Sequence, residues 1–138
     1  MTFKSILSAA CAAIAITVAA PAAAHGPGET VTPTFEQVIP NIPGKSLVAL
    51  VVDYTPGGAS PAHLHSNAAF IFAYVLSGAI ESQVNDGPKQ VFRAGESWYE
   101  NPGSFHRVSR NASATEPAKL LAVIVTDTGD TALTTPVE

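Results

Sequence analysis

The sequence predicts an all-β fold, a sandwich or barrel of short strands, on three observations. Apolar, β-branched runs of about five to eight residues recur at roughly ten-residue intervals. The 11 Pro and 10 Gly fall almost entirely between those runs, where they turn the chain and interrupt helices. Beyond residue 24 no segment carries a convincing 3.6-residue apolar period.

Taken in order, the first 24 residues stand apart. Lys4 is the only charge before the apolar run Ser5 to Ala20, and Ala22-Ala23-Ala24 supplies small residues of the kind a signal peptidase reads. Residues 1–24 are therefore expected to be a secretory signal peptide, placing the mature protein in the periplasm or outside the cell. The run is short for a bilayer, which needs about 20 residues, and Pro21 follows at once. Cys11 comes too early in it for a lipoprotein site. Cleavage after Ala24 removes the only Cys, so the mature chain is expected to hold neither a disulfide nor a thiol nucleophile. From His25 onward 6 Lys plus Arg stand against 11 Asp plus Glu with no basic block, which argues against nucleic acid and anionic membranes as partners. The remaining 114 residues suit one domain.

Residues 25–44, rich in Gly, Pro and Thr, are expected to be an N-terminal arm or irregular edge strand. His25, exposed as a new N-terminus, could chelate copper through its amine and ring. The neighbouring Gly26-Pro27-Gly28 instead favours a disordered first residue. Lys45 to Tyr54 reads as a core strand that stops at Thr55-Pro56-Gly57-Gly58. Phe70 to Leu76 reads as a strand buried on both sides, closed by Ser77-Gly78. Ala79 to Val84 alternates more clearly, and Asn85-Asp86-Gly87 is a hairpin signal. Pro88 delays the partner strand to about Lys89 to Arg93, after which Ala94-Gly95 turns the chain into Ser97 to Glu100. Arg107 to Ser109 is short and extended, Lys119 to Thr126 is the last strand, and a loose tail follows. The expected divisions are thus an arm at 25–44, a barrel at 45–127 and a C-terminal tail at 128–138.

The chemistry concentrates in three histidines. In a strand successive side chains point to opposite faces, so His63 and His65 share one face and can hold one metal ion. His106 follows the turn Pro102-Gly103, which fixes where its ring is delivered. Three convergent imidazoles leave positions open for water or substrate, as catalytic metal sites do. A lone histidine is more often structural, but here three of the four histidines fall into one pattern.

That pattern resembles the cupins. Gly58, His63, His65 and Gly78 stand where the first cupin motif has its glycine, paired histidines and closing glycine. Gly95, Pro102, Gly103, His106 and Asn111 resemble the second motif. The resemblance spans Gly57 to Asn111 and implies a single cupin barrel, the double-stranded β-helix or jelly roll. It also implies one divalent transition metal on His63, His65 and His106. Small cupins often pair through their sheets, and the apolar strands allow a homodimer without requiring one.

Two departures bear on function. The glutamate that cupins usually place after the second histidine would fall among Ala69, Phe70 and Ile71, none of which can coordinate, and that segment is one residue longer than usual. The spacing from His106 to Asn111 is also one residue long. A three-histidine site is then expected, one charge more positive than the common site, favouring Fe, Zn, Cu or Ni over Mn. Glu100, six residues before His106, is the candidate to fill the gap as a ligand or as support for a ligating ring; otherwise it is an exposed strand-end carboxylate. Tyr74 and Gln83 are candidate pocket groups, although their faces cannot be fixed from sequence and a structural role is favoured for both; Tyr74 and Glu100 are the candidate proton carriers. Trp98 reads as a core or rim aromatic, and Arg93, Arg107 and Arg110 as a solvated surface.

The preferred activity is dioxygenase-like oxidation of a small molecule. The alternatives are metal-dependent lyase, isomerase or hydrolytic chemistry, and a non-catalytic periplasmic metal- or ligand-binding module, since a fold alone implies no activity.

Overall fold

The computed structural model describes residues 26–137, so the expected signal peptide at 1–24 and His25 lie outside the described residues. The strands are β1 (Glu29–Val38), β2 (Lys45–Tyr54), β3 (Ala59–Ser60), β4 (His63–His65), β5 (Phe70–Ser77) and β6 (Ala79–Val84). They continue as β7 (Gln90–Arg93), β8 (Ser97–Glu100), β9 (Phe105–Asn111), β10 (Ala118–Asp127) and β11 (Thr134–Pro136). Two antiparallel sheets result, one in the order β1-β2-β10-β5-β8 and the other in the order β11-β4-β9-β6-β7, with β3 also on β9. No helix among the described residues is long and apolar enough to cross a membrane.

The first sheet supplies most of the apolar interior. Its long strands β2 and β10 pair over ten residues each, and alternation sends Val48, Val52, Leu120 and Ile124 inward with Ile71 and Val75 of β5. The facing sheet turns a polar set inward, with Ser82, His106 and Ser109 all buried. The first sheet supplies most of the apolar packing, and the facing sheet carries the three histidines.

Three expectations change. β5 is buried on one face only: Phe70, Phe72 and Leu76 stay 41 to 42% exposed because the second sheet covers just the opposite side. The tail at 128–138 is not wholly loose, since β11 pairs with β4 and covers the edge of the histidine strand. The extended piece at Arg107 to Ser109 belongs to a seven-residue strand. A register shift against β6 falls at Arg107, between the pairs Val84 with His106 and Gln83 with Val108. That extra residue lets His106 and Ser109, three apart, both face inward.

Gly78, which links β5 to β6, has φ +71°, and a Cβ there would lie 2.6 Å from the carbonyl oxygen of Pro117. Both demands require glycine.

A second polar chain runs inside the sandwich. The Tyr54 hydroxyl lies 2.6 Å from Ser60 Oγ and 2.9 Å from Ser109 Oγ, and Ser60 donates to the Glu29 carboxylate of β1. Burial pushes the Tyr54 phenol up to about 12, against the opposing pull of its serine partners. The unfolded chain ionises this phenol near pH 10 while the folded chain keeps it neutral. The stability it contributes is therefore complete below pH 10 and is lost as pH climbs toward 12, by about 2 to 3 kcal/mol. Tyr54→Phe is expected to cost about 1 kcal/mol at pH 7 and to flatten this alkaline decline. Urea midpoints at pH 7 and pH 11 check it; an unchanged alkaline slope refutes it.

Candidate metal centre

Local backbone contacts bring the histidines together. The His65 amide donates to the Ser104 carbonyl at 2.9 Å and the Gly103 amide to the Ser66 carbonyl at 3.0 Å, tying the end of β4 to the Pro102-Gly103 turn. Gly103 sits at φ +73° with Asn67 packed so closely that a Cβ would lie 2.4 Å from its Oδ1. Across the resulting β4–β9 pair, His63 is in register with His106. One ligand atom from each of His63, His65 and His106 lies within 4.8 Å of the others.

The carboxylate that the first motif lacks arrives from the neighbouring strand. Glu100 of β8 is the direct cross-strand partner of Ile71, so it enters the interior beside the segment where cupins usually carry a glutamate. Its side chain is 2% exposed. Oε2 lies 3.0 Å from His65 Nε2, and Oε1 lies 3.2 Å from His106 Nδ1. Glu100, the candidate the sequence offered to fill the gap, thus stands against His65 and His106, beside the cluster of three histidines.

Each group is also held from behind. His63 Nδ1 lies 2.8 Å from the Pro61 carbonyl, which makes Nδ1 the protonated nitrogen and leaves Nε2 free. Ser82 Oγ is 2.9 Å from His106 Nε2. Trp98 Nε1 donates to Glu100 Oε1 at 3.1 Å. Burial lowers the affinity of His63 for a proton, and it lowers that of His106 to about 4, the Glu100 charge opposing the effect. Burial pushes the Glu100 carboxyl up, but the His65 contact and the attraction of His106 outweigh it and leave a net lowering. These shifts favour neutral rings at His63 and His106 and an ionised Glu100, the forms that metal ligation requires.

Orphaned atoms test the fit. His65 Nδ1 and Nε2 and Glu100 Oε2 are buried with no hydrogen-bond partner; the 3.0 Å contact between Nε2 and Oε2 is close but not aligned for a hydrogen bond. Donors at right angles on one cation with bonds of about 2.1 Å are themselves about 3 Å apart. His65 Nε2 and Glu100 Oε2, which face each other at 3.0 Å without a hydrogen bond, fit a transition ion that would take both as donors.

The other candidates fall elsewhere. Tyr74 lies on the outer face of β5, stacked at 6.4 Å on Phe72, with opposite parity to buried Ile71 and Ala73; it is not brought to the histidines. Gln83 bonds the Gly87 carbonyl within the hairpin. Arg107 pairs with Asp86 and Arg110 with Glu81 at the surface, and Arg93 is exposed. Asn111 pins a loop through the Thr55 and Glu116 carbonyls. Sequence reasoning missed Ser82, whose signal was strand parity: with Glu81 and Gln83 on one face, Ser82 had to take the other. A cleft of about 160 Å³ is lined by Ser82 and Trp98, the side chains behind His106 and Glu100, together with Val84, Gln90 and Phe92 among others.

A family model described as a Cupin domain matches residues 50–124. Among solved structures, the chain is similar to a conserved protein with a double-stranded β-helix domain from Klebsiella pneumoniae, at 20% identity and TM-score 0.62, over 80% of this chain and 84% of that one. An oxalate oxidase in complex with the substrate analogue glycolate is 25% identical with TM-score 0.55, over 70% of this chain and 50% of that one. A DMSP lyase structure is 18% identical with TM-score 0.55, over 67% and 44%. No curated protein matches the chain significantly.

Proposed function

Because the chain belongs to the cupin domain family, we propose that it is an exported metalloenzyme of dioxygenase-like type acting on a small molecule, its single divalent transition metal held by His63, His65, His106 and Glu100. The observation that carries this reading is the buried meeting of Glu100 with His65 and His106, its Oε2 and the His65 nitrogens lacking hydrogen-bond partners, beside a set of three histidines whose ligand atoms lie within 4.8 Å of one another. A carboxylate in the donor set adds Mn to the Fe, Zn, Cu and Ni that imidazole suits. The metal would supply a Lewis-acid or redox centre with positions open to substrate.

The chain's own residues do the rest. Pro61 and Ser82 set the ring orientations of His63 and His106. Trp98 holds one oxygen of Glu100 while the other stays unpaired, so the carboxylate is positioned either to ligate or to take a proton. A lyase remains the second reading because Glu100 is a suitably placed base and a DMSP lyase shares the fold. The likeness to an oxalate oxidase, at higher identity, weighs toward oxidation.

Elemental analysis of the purified protein is expected to give about one transition ion per chain. With that metal loaded, dioxygen uptake with a panel of small phenols and enols is expected to disappear on chelation. Turnover that proceeds equally without air would replace oxidation by the lyase reading.

A further inference from the structure

The strand that carries His63 and His65 is flanked on one side by the carboxy-terminal strand. β11 pairs with all three residues of β4, Thr134 with His65, Thr135 with Leu64 and Pro136 with His63. The Val137 amide donates to the Ala62 carbonyl at 3.0 Å and the Ser66 amide to the Leu133 carbonyl at 3.1 Å, so the pairing is closed at both ends. On its other side β4 has two cross-strand pairs with β9, His63 with His106 and Leu64 with Phe105. Two anchors fix the root of β11. Leu133 packs against Val48, Ala69, Ile71 and Ile124. The Asp130 carboxylate accepts bonds from Ser66 Oγ at 2.6 Å, Thr126 Oγ1 at 3.1 Å and the Ala132 amide at 3.2 Å. Just before them Gly129 takes φ +86° with nothing within 4 Å of its Cβ position, a joint at which the chain can pivot.

Resting on the metal reading proposed above, we infer that β11 is a strap controlling passage of the metal: its release loosens β4 and opens the histidines, and its closure holds them. An edge strand of three residues, exposed at Thr135 and Pro136, opens at far less cost than the ten-residue pairing of β2 with β10. When it leaves, β4 becomes the edge of its sheet. Its two histidines are then tied to the rest through β9 and through the bond from the His65 amide to the Ser104 carbonyl. The ground beside the strap is already concave. A depression of about 520 Å³ is lined by His65, Thr135, Asp127 and Asp130 among others. Asp127 is paired with Lys45, while Asp130 is bonded only by hydroxyls and an amide, so a net negative charge stands where an arriving cation would meet the strap.

A reversible lock tests this. Leu64 and Thr135 are cross-strand partners, and antiparallel partners lie about 4.5 to 5.5 Å apart at Cα, within the span of a disulfide. Leu64→Cys with Thr135→Cys, in a Cys11→Ser background, is loaded with Co²⁺ while reduced and then oxidised. Release of Co²⁺ to excess EDTA is expected to slow about tenfold or more on oxidation and to recover on reduction. Leu133→Ala and Asp130→Ala weaken the anchors and leave the histidines in place. Each is expected to speed release about tenfold or more, and they carry the test should the disulfide not form. In the metal-free native protein, hydrogen exchange is expected to show the Ser66 and Val137 amides losing protection together and well ahead of the amides of β10. Equal release rates from the oxidised, reduced and anchor variants overturn the inference and leave the metal site standing. So does a β11 whose amides exchange only together with those of β10. A protein that binds no Co²⁺ in any of these forms removes the metal reading itself, and the strap's role with it.

Discussion

Glu100→Gln is expected to lower divalent metal affinity by about a hundredfold or more, since even supporting groups around ligands are worth ten- to hundredfold. The metal-free protein should keep its stability or gain some. Glu100 is a buried carboxylate with one oxygen unpaired, and an isosteric amide removes the charge without opening a cavity. The two effects separate cleanly in thermal melts. Saturating metal at about 100 times Kd stabilises a folded protein by about 2.7 kcal/mol, and the variant should lose that increment while its metal-free midpoint holds or rises. A variant with native affinity would return Glu100 to a structural role. Exchanging the cross-strand neighbours, Ile71→Glu with Glu100→Ile, should recover part of the lost affinity, because the two positions face the same interior site.

Removing a ring is the second large effect. His63→Ala, His65→Ala and His106→Ala are each expected to empty the site at micromolar metal without unfolding the sandwich. The two apolar clusters built around Val75 and Ile124 contain none of these histidines. Ser82→Ala should sit between, weakening affinity about ten- to hundredfold through the freed His106 ring. Metal content after dialysis ranks the series. Full occupancy in a variant lacking all three rings would remove the basis for the proposed function.

Much of the architecture could be read from local pattern. Lys45 to Tyr54 is a strand with those very ends because a β-branched run meets a Thr-Pro-Gly-Gly turn. His63 and His65 share a face because strand periodicity leaves no other option. What escaped depends on partners distant in sequence. The apolar run of β5 looks buried on both sides, yet only tertiary packing decides which side another sheet covers. The face of Tyr74 is illegible for the same reason, since parity is meaningless until one residue of the strand is anchored. The role of Glu100 needed the β5–β8 register, which sets it beside Ile71 across about 30 residues of chain. The added residue between His106 and Asn111 is absorbed by a bulge at Arg107, a feature that spacing alone does not reveal. β11 carries only Thr-Thr-Pro and becomes a strand through its pairing with β4.

Trp98 is the only tryptophan in the chain, and its indole NH is bonded to Glu100 with the ring 6.3 Å from that of His106. The molecule thus carries a built-in optical gauge at its centre. Occupancy by a paramagnetic ion should quench ultraviolet emission at one defined spot, letting loading and release be followed by light without attaching a dye.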